Sequence, residues 1–216
     1  MSPSQENYLK NIFELQQSAQ KVTNKKLANM MQVSAPSVTE MLLTLSQNGY
    51  IEHTPYNSIE LTDTGQQLAE KLVQKHRLWE VFLANKLHYA ITDVHPEADA
   101  LEHSTDERLV QALNHYLDYP QKCPHGGIIP GNGQGESDDD DLILAETIPP
   151  MQVKIVRILD NHEFLAYFSG LGLELNQIVT VKKRSSFDNS VLVETKEHKH
   201  ISLSHEAATY IFVEQC

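Results

Sequence analysis

The stretch "VTNKKLANMMQVSAPSVTEMLLTLSQNGYIE", residues 22–52, contains two short helical patterns on either side of the break "QVSAPS". Thr23 and Ser34 stand immediately before the two patterns, where a side-chain hydroxyl can accept a hydrogen bond from a free backbone N–H. Pro36 falls in the first turn of the second pattern, where its missing N–H is tolerated. Gly49 ends that pattern, and "YIEHTPYNSIELT", residues 50–62, alternates around a turn as a β-hairpin does. The stretch therefore predicts a helix-turn-helix followed by a wing.

A helix-turn-helix binds DNA by placing the first turn of its second helix in the major groove. The residues predicted to contact DNA, including two lysines that would contact phosphates, are Lys25, Lys26, Ser34, Ala35, Pro36, Ser37, Thr39 and Glu40. Residues 1–62 contain only four basic residues and five glutamates, so we expect the attraction to phosphates to be modest. A helical hairpin without any ligand is the alternative.

The composition bounds the class of protein. With 40% hydrophobic and 21% charged residues, the chain should be soluble and have a packed core. It shows no signal-peptide pattern, no apolar run of about 18 residues and no disulfide framework, so we expect a cytoplasmic protein. The net charge of −12 argues against a polybasic nucleic-acid binder, whereas an acidic chain with 11 histidines suits divalent cations.

The patterns predict a mostly α fold with a C-terminal β domain, in three parts: residues 1–62, 63–140 and 146–216. The middle part is helical, and we expect Asp93 to cap its second helix and Ser104 or Thr105 its last. The acidic "GESDDDD", residues 135–141, reads as a linker. The last part is predicted to be a small β-barrel with strands in "MQVKIVRIL", "QIVTVKKRS", "SVLVETKE" and "TYIFVE" and a helix in "HEFLAYFSG".

The helical part carries more apolar surface than one layer of helices can bury internally, which predicts a homodimer. The stripe consists of Leu68, Leu72, Leu78, Phe82, Leu109, Leu113 and Tyr116.

Potential metal ligands recur in the same part at helical spacing. His76 and Glu80 share one helix face, as do His95, Asp99, Glu102 and His103. Imidazoles and carboxylates on one stripe can hold a divalent ion, although a charged solvent-exposed face is the commoner fate of such residues. Cys123 and His125 follow in a Pro/Gly-rich loop and would add a soft ligand.

With a winged helix, these helices and a β domain, the whole chain resembles the diphtheria-toxin-repressor and manganese-transport-regulator family, in its three-domain, manganese-responsive streptococcal form. The motifs that carry the resemblance are "VSAPSVTEML", "KHRLWEVFL", "VHPEADALEH", "CPHGG" and "SGLGLELNQIVTVKKR". The last resembles FeoA and SH3-like barrels.

The resemblance implies a dimeric repressor of metal-uptake genes that binds palindromic operator DNA when it holds a transition metal. It implies two metal sites per subunit: position 7 with Asp99, Glu102 and His103, and Glu80 with Cys123, His125 and Asp160. His76 and His95 could join either site. The resemblance implies an aspartate at position 7, where this chain has the neutral Asn7, and a glutamate where it has Asp99. It favours Mn²⁺, while the cysteine favours Fe²⁺ or Zn²⁺.

Two other classes of function remain open from the residues alone. A metallohydrolase would need an open coordination position and a general base, but no H-E-x-x-H, nucleophile elbow or P-loop occurs, so we do not expect an enzyme. A metal-binding protein without a DNA function is the second alternative.

Overall fold

The computed structural model describes residues 1–17, 21–53, 58–133 and 142–216, which form three units in chain order. The first unit contains helices α1 (Pro3–Gln17), α2 (Asn24–Met31) and α3 (Ala35–Gln47), and strands β1 (Ile51–His53) and β2 (Ile59–Leu61). Thr23 and Ser34 cap α2 and α3 as predicted, accepting hydrogen bonds from the backbone N–H groups of Lys26 and Ser37, both at 3.3 Å.

The wing follows α3 as an antiparallel pair in which Ile51 is opposite Leu61. The helix-turn-helix and the wing strands are thereby confirmed, while the predicted turn at 54–57 lies outside the described residues. Apolar side chains of all three helices form the core of this unit, because their spacing places them on one face of each helix. The fully buried members include Leu9, Ile12, Leu27, Val38, Leu42 and Leu45.

The second unit consists of α4 (Asp63–Leu87), α5 (Val94–Glu102) and α6 (Glu107–Tyr116). The prediction that Ser104 or Thr105 caps α6 was wrong. Asp106 is the cap, and its carboxylate accepts a hydrogen bond from the N–H of Leu109 at 2.8 Å. Thr105 is engaged elsewhere, since its hydroxyl accepts a hydrogen bond from Trp79 Nε1 at 2.8 Å.

Asp93 does occupy the N-cap position immediately before α5, as predicted, but its side chain makes no capping hydrogen bond. Its carboxylate instead accepts a hydrogen bond from the hydroxyl of Thr92 at 3.1 Å. The backbone of Asp93 is already close to helical there, with φ −108° and ψ −11°, and not in the extended conformation that a capping side chain normally requires.

The predicted dimerisation stripe divides into an internal and an external part. Leu72 and Leu78 are buried within the protomer, at 5% and 0% exposure, so they cannot contribute to an interface. Leu109 and Tyr116 of α6 are 44% and 62% exposed. The outward face of α6 therefore remains the predicted contact, and dimerisation of this chain stays a prediction.

The third unit is a six-stranded antiparallel sheet with strand order β3-β8-β4-β5-β6-β7. Helix α7 (His162–Leu171) and the short α8 (His205–Ala208) accompany it. The strands are β3 (Leu142–Ile143), β4 (Met151–Ile158), β5 (Ile178–Arg184), β6 (Val191–Thr195), β7 (His200–Leu203) and β8 (Ile211–Gln215).

The sequence predicted four of these strands and α7, which encloses the apolar face of the sheet with Phe164, Leu165 and Phe168. The edge strands β3 and β7 and the helix α8 were not predicted. The acidic linker at 135–141 lies outside the described residues. Among those that the structure describes, no helix is both long and apolar enough to cross a membrane.

Candidate functional site

Helix α4 places His76 and Glu80 one turn apart, and both side chains are buried, at 5% and 1% exposure. The imidazole of His76 lies between two groups of polar side chains. On the side of its Nε2 atom are Glu80, Cys123, His125 and Asp160, which we call the cysteine cluster. On the side of its Nδ1 atom are Lys10, Asp99 and Glu102, which we call the lysine cluster.

Cys123 reaches the cysteine cluster from the loop that follows α6. The loop folds into a tight turn, because the N–H of Cys123 donates to the carbonyl of Gly127 at 2.8 Å and Gly126 adopts φ +88°. A side chain on Gly126 would come within 2.1 Å of the Val156 carbonyl oxygen, so glycine is required where the loop meets β4. The loop position was predicted, but the cysteine is also buried, at 7% exposure, against apolar residues of α4 and α6.

His125 is oriented by its second ring nitrogen. Its Nε2 atom lies 3.2 Å from the carbonyl oxygen of Ile91 and must carry a proton to donate to it. This leaves the Nδ1 atom directed at Glu80 Oε1, 3.2 Å away. An imidazole fixed through one nitrogen in this way is the usual arrangement of a metal-ligating histidine.

Asp160 belongs to the third unit and follows β4 directly. Its Oδ2 atom lies 2.6 Å from His95 Nδ1 and 3.2 Å from His76 Nε2, and its Oδ1 atom lies 3.9 Å from His125 Nδ1. Burial by itself would raise the pKa of Asp160, but the surrounding histidines, led by His95 and His125, lower it well below its usual range. Asp160 therefore connects the β unit to the helical unit as a carboxylate.

Three buried atoms of the cysteine cluster make no well-formed hydrogen bond within the described part of the chain: Glu80 Oε1, His125 Nδ1 and Asp160 Oδ1. They face one another at ion-pair distances, 3.2 Å from His125 Nδ1 to Glu80 Oε1 and 3.9 Å from His125 Nδ1 to Asp160 Oδ1. Buried polar atoms normally form good hydrogen bonds, so ligand atoms gathered in this way indicate a cation site. The ligand atoms of Glu80, Cys123 and His125 lie within 4.8 Å of one another, and so do those of His76, Glu80, His95 and Asp160. Sulfur, nitrogen and oxygen donors together fit a borderline divalent ion.

The metal-free cluster is protonated at its nitrogen and sulfur atoms. Burial opposes the charged form of His125, yet Glu80, Asp160 and Cys123 raise its pKa well above 6.5. Burial, followed by the charge of Glu80, also raises the pKa of the Cys123 thiol. Metal binding at this cluster would therefore displace protons.

The lysine cluster brings together Asp99 and Glu102, as the sequence predicted, but around an ammonium group. Lys10 of α1 places its Nζ atom 2.8 Å from Asp99 Oδ1, 2.5 Å from Glu102 Oε1 and 3.3 Å from His76 Nδ1. Burial opposes the charge of Lys10, but the two carboxylates hold its pKa above the ordinary value. Sequence reasoning missed this residue, although it lies one helical turn after Asn7 on the same face of α1.

His103, predicted beside Asp99 and Glu102, lies at the edge of the cluster, with its Nε2 atom 3.8 Å from Glu102 Oε1. Its Nδ1 atom lies 2.8 Å from Glu6 Oε2. The side chain is held by Glu6, which the sequence analysis also missed. Asn7 donates from Nδ2 to Asp99 Oδ2 at 3.4 Å.

The residues predicted to contact DNA lie together at the start of α3 and on α2. Ala35, Pro36, Ser37 and Glu40 are exposed. The hydroxyl of Thr39 is used within the protein, since it accepts a hydrogen bond from Asn24 Nδ2 at 3.0 Å.

The other predicted contacts differ in how far they are free to reach DNA. The Ser34 hydroxyl caps α3 and lies 2.8 Å from the hydroxyl of Ser37. Lys25 is exposed, whereas Lys26 is half-buried and burial lowers its pKa. The exposed part of the predicted surface thus comprises the first turn of α3 and Lys25.

Three protein-family models match successive parts of the chain. Residues 1–59 match the iron dependent repressor, N-terminal DNA binding domain, and residues 62–131 match the iron dependent repressor, metal binding and dimerisation domain. Residues 144–215 match the FeoA domain.

Individual proteins match over most of their length. The diphtheria toxin repressor of Corynebacterium diphtheriae is 31% identical over 71% of this chain and 71% of its own. The structure of the manganese regulator SloR is 33% identical, covers 100% of both chains and superimposes with a TM-score of 0.89. The structure of ScaR with bound Cd²⁺ is 35% identical over 98% of this chain and 99% of its own, with a TM-score of 0.85.

Proposed function

The chain belongs to the iron-dependent repressor family of metal-dependent transcriptional repressors, and we propose that Mn²⁺ is the ion to which it responds. The family consists of DNA-binding regulators, not enzymes, and dimerises through the middle domain. The chain contains all three domains of the similar solved structures. One of these is a manganese regulator and another, ScaR, is a manganese-activated repressor, which supports Mn²⁺.

We place the regulatory metal in the cysteine cluster, with Glu80, Cys123, His125 and Asp160 as ligands and His95 beside them. The observation that carries this proposal is the set of three buried ligand atoms that face one another without a well-formed hydrogen bond. A bound divalent ion would supply the positive charge that lets two carboxylates and a thiolate approach one another in a buried site. The thiolate makes Fe²⁺ and Zn²⁺ the competing candidates.

The ligands come from α4, from the loop after α6 and from the segment after β4, so the site joins the second unit to the third. The third unit in turn contacts the DNA-binding unit, because Gln32 Nε2, just after α2, donates to Glu163 Oε1 of α7 at 3.1 Å. Metal binding at the cysteine cluster would therefore restrict the orientations that α3 can adopt and shift the population toward the one that binds DNA.

In this proposal the protein acts as a homodimer through the exposed face of α6, with residues 1–62, 63–140 and 146–216 as its three domains. A dimer holds its two recognition helices about one turn of DNA apart, which matches a palindromic operator. Ser37 and Glu40 would contact base edges, and Lys25 would contact phosphates. Control of metal-uptake genes is the corresponding expectation.

The test is a gel shift on DNA from the region upstream of the chain's own gene, with Mn²⁺, Fe²⁺, Zn²⁺ or a chelator. We expect a shift with Mn²⁺ that is lost in the chelator and in Glu80→Gln. The exposed Glu97 on α5 provides a matched control, and Glu97→Gln should keep the shift. Metal binding without any shift would favour a metal-binding protein with no DNA function, and a stronger response to Fe²⁺ or Zn²⁺ would reassign the metal.

A further inference from the structure

The ammonium group of Lys10 lies where the predicted first metal site would place its ion. Its contacts at 2.5 Å with Glu102 and 2.8 Å with Asp99 involve the two carboxylates of that predicted site. Lys10 is 7% exposed, and its side chain crosses from α1 of the DNA-binding unit to α5 of the helical unit. One side chain of this protein thus makes the connection between units that a shared metal ion would make.

We propose that Lys10 replaces a metal ion in the lysine cluster, so that α1 is fastened to α5 permanently and each subunit responds to a single ion, in the cysteine cluster. The last part rests on the proposed function. The resemblance implies two ions per subunit, and a single ion in the cysteine cluster replaces that expectation.

Charge is the first reason why the lysine cluster does not fit a metal ion. Asp99 and Glu102 supply two negative charges, Asn7 supplies none, and Lys10 neutralises one of them. Without counting His76, a divalent ion added beside the ammonium would place three positive charges against two negative ones. Lys10 and Glu102 are buried, so water screens this excess poorly there, although the Asp99 side chain is 33% exposed.

The ion is excluded because the Lys10 ammonium occupies its position, and not because the cluster is closed to solvent. A cavity of about 360 Å³ opens beside the cluster and is lined by Lys10, Asn7, His76, Asp99 and Asp160 among others. An ion could therefore reach Asp99, but it would have to displace the ammonium from both carboxylates. The buried ammonium would lose both of its charged partners in such an exchange, which opposes it.

The donors left after removal of Lys10 would form a competent site. Asn7 Oδ1 is buried and has no hydrogen-bond partner among the described residues. Together with Asp99, Glu102 and His76 Nδ1 it would give a set of oxygen and nitrogen donors that suits Mn²⁺. The inference therefore predicts that removing Lys10 adds a metal site.

The experiment counts Mn²⁺ bound per subunit of the full chain by equilibrium dialysis and elemental analysis. We expect about one ion in the wild type, about two in Lys10→Met and about one in Lys10→Arg, because arginine keeps the positive charge. Lys25→Met, on the exposed surface of α2, is the matched control and should bind about one. Circular dichroism verifies that each variant is folded.

Cys123→Ser separates this inference from the proposed function and needs no change at Lys10. If Lys10 fills its cluster, Cys123→Ser should bind at most one Mn²⁺ per subunit, about tenfold more weakly than the wild type. One ion bound with the affinity of the wild type, or two ions in the wild type, would overturn the inference. If instead the wild type bound none and Lys10→Met bound about one, the assignment of the cysteine cluster would fail while the role of Lys10 would stand.

Discussion

Replacing Cys123 by serine tests the proposed metal site directly, because it removes the sulfur and leaves the carboxylates and imidazoles in place. The thiol is buried, and its pKa is raised above the ordinary value of 9.0, first by burial and then by Glu80. A thiol binds metal as the thiolate, so binding must release its proton. Serine has no proton to lose near neutral pH and remains a neutral, hard ligand.

The magnitude follows from the pKa. Ionising a thiol of pKa 9 at pH 7 costs about 2.7 kcal/mol, at about 1.36 kcal/mol per unit, and the raised pKa of Cys123 makes this a lower limit. The cost of ionising the thiol falls as pH rises. The apparent affinity of the wild type for metal should therefore increase about tenfold per pH unit from this proton alone. The slope of log affinity against pH should therefore be lower by about one in Cys123→Ser. His125 is present in both proteins and releases its proton on binding in each, because Glu80 and Asp160 still raise its pKa in the variant.

Isothermal titration with Cd²⁺ and Mn²⁺ between about pH 6 and pH 8 measures this difference. Soft metals gain most from sulfur, so we expect Cys123→Ser to lose about 100-fold in affinity for Cd²⁺ and about tenfold for Mn²⁺. Cys216 is exposed and lies outside the cysteine cluster, so Cys216→Ser is the matched control and should behave as the wild type. Equal slopes and equal affinities in Cys123→Ser and wild type would refute the assignment of the thiolate as a ligand.

Three further predictions concern DNA, assembly and pH. Glu40→Ala should change the preference at one operator base pair by about 1–3 kcal/mol in competition binding, and unchanged ratios across operator variants would remove Glu40 from base recognition. Leu109→Glu should dissociate the dimer in light scattering, because it buries a charge in an apolar contact, and a monomeric wild type with metal present would contradict the interface. Burial lowers the pKa values of His76 and His125, but the carboxylates around them raise both well above 6.5. The protonated histidines therefore stabilise the fold fully below about pH 6.5, and this stabilisation is lost as pH rises through their raised pKa values. The Tm of chelator-treated protein should fall between about pH 6.5 and pH 9, and a constant Tm would contradict this.

Local signals in the sequence predicted most of the first unit. The caps Thr23 and Ser34 act on neighbours three residues away, and the spacing of Leu27, Val38 and Leu42 fixes which helix faces are buried. The last helix of the second unit begins after the run Ser104-Thr105-Asp106, in which all three residues are capable caps. Nothing local decides among them. Contact with Trp79, 26 residues earlier, engages Thr105 and leaves the role to Asp106.

The edge strands of the β unit were missed for a similar reason. β3 contains two residues and pairs with β8, some 70 positions later, so its own sequence is too short to show a period. β7 follows a turn in which His198 adopts φ +61°, and its four residues begin with the exposed His200. Short strands of this kind are specified by the partner strand and not by their own pattern.

The predicted ligands were brought together where they share an element. Helical spacing placed His76 with Glu80, and Asp99 with Glu102, on common faces. The structure brings Glu80 to the cysteine cluster and Asp99 and Glu102 to the lysine cluster, with His76 between the two. The position of Lys10 depends on how α1 and α5 both pack against α4, which brings together residues 89 to 92 positions apart, and no local pattern contains that information. His103 turns to Glu6 over 97 residues for the same reason.

His76 lies between the two clusters and explains how Lys10 in one cluster and a metal ion in the other can be present together. His76 Nδ1 lies 2.5 Å from Glu102 Oε2, so this nitrogen keeps its proton and donates it to the carboxylate. Glu102 accepts from Lys10 through its other oxygen, Oε1, so the two donors do not compete for one atom. The Nε2 atom faces the opposite way, 3.2 Å from Asp160 Oδ2 and 3.3 Å from Glu80 Oε1, and it is the nitrogen that can lose its proton and present a lone pair to the cysteine cluster. The neutral tautomer that a cation at the cysteine cluster requires is thus the same tautomer that the His76–Glu102 contact selects, and filling one cluster does not require the other to open.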